Sequence, residues 1–246
     1  SFRSLLDQTY GNIEYIIVDD ASPDNSMGII SSLLESYPCK KVKIIAHQKN
    51  RGLAAARATG LSHASGEYIL QLDSDDCFEK DYVESMASAA CETQSDIVIC
   101  DYQAVYPHGE RYFSQEFRGD GKQLCESILV GKTQGFVWNK LIRRKLYTDH
   151  GIFPIEGINM WEDVAVMGIL AYFADKVYHI PHAFIHYNQT NTNSYSTHRL
   201  SEKSLRNIIS AVAVVSDFHT SHATTISQDV LNVFKLRAKF FCLVNS

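Results

Sequence analysis

The chain has no excess of positive charge and no long apolar run. Its 23 lysine and arginine residues are outnumbered by 28 aspartate and glutamate residues, which gives a formal net charge of −5. A protein that grips a nucleic-acid backbone normally carries a basic face, so this balance argues against nucleic acid as a partner. No run of about eighteen apolar residues occurs, so we expect no membrane-spanning helix in this sequence.

Closely spaced cysteines are also missing. The six cysteines are scattered over 246 residues without a Cys-x-x-Cys pair. This light usage argues against a zinc ribbon or a disulfide scaffold and favours buried thiols in a reducing compartment. His179, His182 and His186 lie close together in a predicted strand, where odd spacings point to opposite faces, so a shared three-histidine site is disfavoured.

What the sequence does contain is a regular alternation of predicted strands and helices over its first hundred residues. Short β-branched and aromatic runs predict strands at 14–18, 41–47, 67–72 and 96–100. Helical periodicity predicts helices at 26–37 and 81–91, and an alanine-rich helix opens at 52–57. This order is typical of an α/β fold whose mostly parallel sheet carries helices on both faces.

The alternation stops after about residue 102. The sequence predicts helices at 123–130, 138–147, 162–173, 205–215 and 228–241, with one more strand at 177–187. We interpret residues 1–106 as one α/β half, 107–200 as a second half of the same domain, and 201–246 as C-terminal helices. No linker of biased composition separates them.

Acidic residues follow two of the predicted strands. Asp19 and Asp20 follow the first, and Asp73, Asp75 and Asp76 follow the third. Ligands of such sheets bind beyond the carboxyl ends of the strands, and neighbouring carboxylates repel unless a cation neutralises them. Mg²⁺ and Mn²⁺ prefer such oxygen ligands, and Mg²⁺ often binds one or two carboxylates plus substrate phosphates. The competing interpretation is an acidic turn that caps the next helix.

Two arginines flank the glycine at the start of the alanine-rich helix. Backbone N–H groups there, with Arg51 and Arg57, are suited to phosphate, although both could equally be ordinary surface arginines. Together with the acidic strand ends they predict a nucleotide-diphosphate cleft, in which Asp19 or Asp20 contacts the base or ribose.

Four sequence blocks give the chain a resemblance to a known family. The blocks are Gln8-Thr9-Tyr10-x-Asn12-Ile13-Glu14 with Ile17-Val18-Asp19-Asp20-Ala21-Ser22-x-Asp24, then Asn50-Arg51-Gly52-Leu53-Ala54-x-Ala56-Arg57-x-x-Gly60, then Gly66-Glu67-Tyr68-Ile69-x-x-Leu72-Asp73-Ser74-Asp75-Asp76, and Trp161-Glu162-Asp163. In this order they resemble the inverting family 2 glycosyltransferases of the GT-A fold, of the bacterial cell-surface polysaccharide type, over most of residues 5–200.

The resemblance implies a role for each matching residue. Asp20, and with it Asp19, would bind the nucleobase, Asp73 would contact the ribose or the metal, and Asp75 would ligate Mg²⁺ or Mn²⁺. Asp163 would be the general base. The rest of the predicted site consists of Arg51 and Arg57 on the nucleotide, His186 as a further metal ligand, and Glu162, Trp161, Ser194 and Tyr195 at the acceptor or in a lid.

Two features depart from the family pattern. The family normally begins with one more strand, so we expect that first strand to be missing from this chain. Ala58-Thr59 stands where the family often has an asparagine after the arginine.

The resemblance also implies a function. It is inverting transfer of a sugar from a nucleotide-diphosphate donor, with UDP-sugars favoured, to a saccharide or lipid-linked acceptor, for cell-surface polysaccharide, capsule or lipopolysaccharide synthesis. We expect a cytoplasmic protein at the inner face of the membrane, which it could touch through Lys140, Arg143, Arg144 and Lys145, and we include a homodimer among its partners. A solvated helix face is the alternative interpretation of that basic cluster.

Two alternatives belong to other classes of protein. A receiver-like signalling module would use Asp73 as a phosphoacceptor, but such modules are about half this length. A non-catalytic nucleotide-sugar-binding protein would bind the donor without turning it over.

Overall fold

The computed structural model describes residues 1–190 and 200–245. The helices are α1 (Phe2–Leu6), α2 (Ser26–Leu34), α3 (Leu53–Ser62), α4 (Tyr82–Thr93), α5 (Gly121–Val130), α6 (Lys145–Thr148), α7 (Glu162–Leu170), α8 (Glu202–Ser221) and α9 (Gln228–Asn245). The strands are β1 (Tyr15–Asp19), β2 (Val42–Ala46), β3 (Tyr68–Ile69), β4 (Cys77–Phe78), β5 (Ile97–Tyr106), β6 (Gly109–Phe113), β7 (Lys140–Arg143) and β8 (Val177–Asn188). None of the helices in these ranges is long and apolar enough to cross a membrane.

The strands form two hydrogen-bonded sheets, and the prediction of a mostly parallel sheet is wrong. β1 and β2 pair in parallel on their own, from Tyr15 opposite Val42 to Asp19 opposite Ala46. The larger sheet has the order β3-β7-β5-β8-β4, with β6 paired to β5. Only β5 and β8 are parallel within it. β6 follows β5 in a hairpin, and the other antiparallel pairs join strands that lie far apart in the sequence, so local patterns did not predict them.

Residues 138–147 form a strand and a short helix, so the predicted single helix is also wrong. Leu141 and Ile142 are buried where β7 lies between β3 and β5. Lys140 is 0% exposed. Four residues between two neighbouring strands satisfy their backbone groups by pairing, and this tertiary pairing overrides local helix propensity.

The core lies on both faces of β5, as the two-residue period of a strand requires. Ile97 and Ile99 pack with the helical layer of α5, α7 and α9, whereas Val98 and Cys100 pack with α4. α7 is buried along almost its whole length. Asp163, in its first turn, is the one residue of α7 that is partly exposed. The division of the chain at residues 106 and 200 stays a prediction.

Candidate active site

The carboxylate of Asp20 is bound entirely within the protein. It accepts hydrogen bonds from the N–H groups of Arg51 (2.8 Å) and Gly52 (2.7 Å), and Nδ1 of His47 lies 2.6 Å from its Oδ1. Burial alone would raise the pKa of Asp20, but these hydrogen bonds outweigh it and lower the pKa. Asp19 accepts from the N–H of Ser22 at 2.9 Å. Both aspartates thus shape the loops at the end of β1, and their predicted nucleotide contacts stay predictions.

The start of α3 is joined to residues 156–159 by close contacts. Gly52 has a φ of +91°, and a Cβ on it would lie 2.4 Å from the amide of Asn159. Only glycine combines this conformation with so close an approach. The Asn159 side chain accepts from the N–H of Ala54 at 3.0 Å, and Arg51 forms an exposed ion pair with Glu156 at 2.7 Å.

Arg57 connects two of the sequence blocks directly. Its guanidinium, only 10% exposed, pairs with Asp73 at 2.6 Å and with Glu162 at 2.5 Å. Burial disfavours the charge on Arg57, but the two carboxylates outweigh this effect and raise its pKa. Arg57 is therefore a fixed cation between the acidic turn after β3 and the start of α7.

Glu162 and Asp163 form a carboxylate pair at the N-terminus of α7. Glu162 is buried, and Asp163 is half-buried with its Oδ1 accepting from the N–H of Val164 at 2.7 Å. Burial raises the pKa of both, the charge of Asp163 raises the pKa of Glu162 further, and the charge of Asp73 raises the pKa of Asp163, so the pair releases its protons at higher pH than isolated carboxyls do. A crevice reaches them, lined by Arg57, Gln71, Val137, Pro154, Glu162, Asp163 and Val166.

The acidic turn after β3 holds three carboxylates. Asp73 and Asp75 are half-buried, whereas Asp76 is buried and accepts from the N–H of Asn188 at 2.9 Å. Within the described residues its Oδ2 has no hydrogen-bond partner, and burial with the neighbouring charges raises the pKa of Asp76 to about 7. No group of three side chains in the described part of the chain could hold a metal by itself. The donor set fits a cation on one or two carboxylates whose remaining ligands are substrate phosphates.

The remaining predicted residues are spread around this site. His186 lies on β8 with its Nε2 2.6 Å from Glu79, and it belongs to no three-residue ligand group among the described residues. Its metal role stays a prediction. Trp161 packs against α9. Ser194 and Tyr195 lie outside the described residues.

The predicted basic cluster does not form one surface that faces lipid or solvent. Its members are Lys140, Arg143, Arg144 and Lys145. The Lys140 amine donates to the carbonyl oxygens of Gln134 and Phe136 and to the Asn139 side chain, and its burial lowers its pKa to about 7. Arg143 pairs with Asp96 and Glu67, and Arg144 donates to the carbonyl of Gly66. The prediction of a helix caused the error, because in a strand Lys140 points inward.

Two site residues were missed by the sequence analysis. Lys140 interacts electrostatically with Asp163, and so does Arg237 on α9. Neither belongs to one of the four blocks. Arg237 lies between Lys235 and Lys239 in the predicted last helix, and nothing in the local sequence distinguishes it from them or specifies its partner.

Solved structures define the class of fold. The structure of TarS residues 1–349 from S. aureus in complex with UDP-GlcNAc matches with a TM-score of 0.76 at 21% identity, covering 99% of this chain and 69% of that one. The mannosyltransferase PcManGT from Pyrobaculum calidifontis, in complex with GDP-Man and Mn²⁺, matches with 0.63 at 16% identity, covering 96% and 64%. The fold is thus the GT-A glycosyltransferase fold, and the predicted fold class is confirmed.

Sequence comparison then gives the family. The profile described as Glycosyl transferase family 2 matches residues 1–154, and the chain belongs to this family. It is 36% identical over 192 residues to the putative glycosyltransferase EpsH of Bacillus subtilis (strain 168), which covers 75% of this chain. The chain spans 55% of the length of EpsH. The receiver-like alternative is therefore wrong.

Proposed function

We propose that this chain carries the catalytic site of an inverting glycosyltransferase, which moves a sugar from a nucleotide-diphosphate donor to an acceptor hydroxyl. The observation that carries the proposal is the double ion pair of Arg57 with Asp73 and Glu162. It joins the acidic turn suited to a diphosphate to the carboxylate pair suited to a base, and Glu162 lies 105 residues beyond Arg57 in the chain.

Asp163 is assigned as the general base. It keeps part of its surface exposed at a narrow crevice, whereas Glu162 is buried and held by Arg57. The raised pKa of Asp163 makes it a better proton acceptor than an ordinary surface carboxylate. Removal of the hydroxyl proton strengthens the nucleophile for a single displacement at the anomeric carbon, which inverts its configuration.

Asp75, with Asp73, is assigned to Mg²⁺ or Mn²⁺. A divalent cation there would neutralise negative charge on the departing diphosphate. The chain contributes the carboxylate oxygens of the turn after β3, and Arg57 keeps Asp73 oriented by its ion pair. Asp19, Asp20 and Arg51 are assigned to the nucleotide.

We assign a UDP-sugar as donor and a saccharide or lipid-linked molecule as acceptor, in capsule, lipopolysaccharide or another cell-surface polysaccharide. TarS was solved with UDP-GlcNAc, which supports a uridine donor, although PcManGT was solved with GDP-Man. We place this activity in the cytoplasm at the inner face of the membrane.

Contact with an anionic membrane is supported by α9. Its outer face exposes a stripe of apolar residues flanked by two lysines, with no acidic residue from 230 to 245: Val233, Leu236, Phe240, Leu243 and Val244, with Lys235 and Lys239. Such a surface suits anionic lipid. We expect co-sedimentation with phosphatidylglycerol vesicles that Leu236→Ser with Phe240→Ser abolishes. A homodimer without vesicle binding would contradict this assignment.

The donor can be identified by thermal shift. UDP-, GDP-, dTDP- and CDP-linked sugars are screened with and without Mn²⁺, and release of the nucleoside diphosphate is then measured with the donor that stabilises the protein most. We expect stabilisation by a UDP-sugar that requires Mn²⁺, followed by turnover. Stabilisation without turnover, with any acceptor supplied, would favour the non-catalytic binding protein.

Asp75→Ala tests the metal assignment. The variant should lose the Mn²⁺-dependent part of the donor stabilisation, whereas Asp81→Ala, at the exposed N-cap of α4, should retain it. An unchanged response of Asp75→Ala to Mn²⁺ would contradict the assignment.

A further inference from the structure

The residue before the carboxylate pair has an unusual backbone conformation. Trp161 has a φ of +63° and lies in the left-handed region, although it is not glycine. A bulky residue keeps such a conformation only where its surroundings enforce it. Its carbonyl accepts from the N–H of Ala165 at 2.8 Å, so Trp161 fixes the direction in which α7 begins. Whatever holds Trp161 therefore also orients Glu162 and Asp163.

Three side chains of α9 hold the Trp161 ring. The ring centroids of Phe234 and Phe241 lie 6.2 Å and 5.4 Å from the indole, and the guanidinium carbon of Arg237 lies 5.6 Å from its centroid. Cations at this distance from an indole face are attracted by its π-electrons. α9 is thus in direct contact with the turn that opens the catalytic helix.

Arg237 is itself anchored from another direction. Its Nη1 donates to the carbonyl oxygen of Ile128 at 2.6 Å, at the end of α5. Gly131, with a φ of +83°, makes room for it, because a Cβ there would lie 2.7 Å from Nε of Arg237. Within the described residues Arg237 forms no salt bridge with a carboxylate. This arrangement fixes the guanidinium between α5 and Trp161, with its charge unneutralised.

We propose that Arg237 is a positioning residue of the reaction: it clamps Trp161 against α9 and places a fixed positive charge beside Asp163. The inference rests on the proposed role of Asp163 as the base. The charged groups that act on the carboxylate pair are Arg57 from α3, Lys140 from β7, Asp73 from the turn after β3 and Arg237 from α9. Among these four groups, Arg237 is the one that also contacts the indole of Trp161.

The first test needs no substrate. In a Trp138→Phe background, Trp161 is the single tryptophan, and its emission reports both its own exposure and the protonation of the adjacent carboxyls. In Arg237→Met we expect the acrylamide quenching constant to rise about twofold or more, because the ring loses its cationic cover. The pH midpoint should move upward, because loss of the positive charge disfavours ionised Asp163. Lys235→Met removes an exposed cation from the same helix and should change neither value.

Arg237→Lys separates charge from clamping. The lysine keeps the positive charge but lacks the fork that reaches the Ile128 carbonyl, so quenching should rise while the pH midpoint stays near the wild-type value. If Arg237→Met does not fold, the quenching constant of Arg237→Lys alone tests the proposed clamping of Trp161. Wild-type quenching in Arg237→Lys, or in a folded Arg237→Met, overturns the proposal.

The second test uses the donor found by thermal shift. Arg237→Met should lower kcat about tenfold with KM for the donor within about twofold, and the acid limb of the pH profile should move upward. A purely structural role would lower the melting temperature without moving that limb, and this outcome overturns the proposal. If the wild-type protein turns over no donor, the proposed function fails, whereas the fluorescence test still decides whether Arg237 clamps Trp161.

Discussion

Two of the three pairs of adjacent carboxylates in the chain, Asp19 with Asp20 and Glu162 with Asp163, are held in opposite ways. Asp20 receives two backbone N–H bonds and a histidine contact, which lower its pKa. Glu162 and Asp163 lie at the start of a buried helix, where burial and neighbouring carboxylates raise their pKa. Carboxylates are therefore held as stable anions after β1, whereas at the start of α7 their pKa is raised, which suits the proton acceptor that we propose there.

This difference shows that hydrogen-bond donors, more than burial alone, decide what a carboxylate can do. Asp20 has several donors on its own oxygens, so its charge is stable and its position fixed. Asp163 has one backbone donor, and the nearby cations Arg57, Lys140 and Arg237 partly offset its burial. Single substitutions can remove these carboxylates and the cations around them one at a time.

Asp163→Asn should have the largest effect. Loss of the base should reduce kcat by about 10²–10⁴-fold, the usual contribution of general base catalysis, with donor affinity nearly unchanged. Steady-state kinetics and thermal shift with the identified donor provide the two measurements. Asp175→Asn, at an exposed aspartate, serves as the control. Equal turnover by Asp163→Asn and the wild type would remove Asp163 from the mechanism.

Arg57→Met should destabilise the protein by about 3–5 kcal/mol, because it leaves Asp73 and Glu162 without their buried cation. Urea denaturation at pH 7 measures the effect. Arg51→Met breaks an exposed ion pair with Glu156, which water screens, and should destabilise the protein far less. Similar losses in the two variants would contradict the view that Arg57 joins the two acidic groups.

Asp20→Asn should cost about 1.5–3 kcal/mol at pH 7, the range for hydrogen bonds to a charged acceptor. The pKa of Asp20 is lower in the folded state, so its stabilisation is complete above the unfolded value of about 3.9 and is lost as the pH falls through the folded value. The unfolding free energies of the wild type and of Asp20→Asn, measured by urea denaturation, should therefore approach each other as the pH falls. Asp217→Asn, at an exposed position of α8, is the control. The prediction fails if the unfolding free energies of the wild type and Asp20→Asn differ by the same amount at every pH.

Lys140→Met should have the smallest effect per pH unit, and this effect is a change in how stability depends on pH. The pKa of Lys140 is lowered to about 7, so between that value and its unfolded value of about 10.4 the unfolded chain binds more protons and stability rises with pH. One such group contributes at most about 1.4 kcal/mol per pH unit. The difference in unfolding free energy between wild type and Lys140→Met should grow from pH 7 to 10, whereas exposed Lys145→Met should show a constant difference.

Much of this site was predictable because its residues occur in local blocks. The strand Tyr15–Asp19, the helix at 53–62 and the helix at 162–170 all appear where their patterns predict them. The acidic residues at the ends of these elements follow from the same patterns. Local sequence specifies an element and the residue at its end, and a family resemblance adds the order of the blocks.

Partners across the chain could not be predicted in the same way. Nothing in the local sequence pairs Arg57 with Glu162, or Arg237 with Trp161, because these contacts depend on how α3 and α9 pack on α7. The strand Lys140–Arg143 was misread for a related reason. Its four residues are too short to show a period, and their neighbours in the sheet decide their conformation.

The contacts between α3 and the residues leading into α7 share one property of spacing. Arg51 with Glu156, Ala54 with Asn159 and Arg57 with Glu162 are each separated by 105 residues. The contacts therefore recur every three residues along both segments. A one-residue insertion or deletion within either segment would shift every later contact, so length variation should be tolerated between the two segments and not inside them.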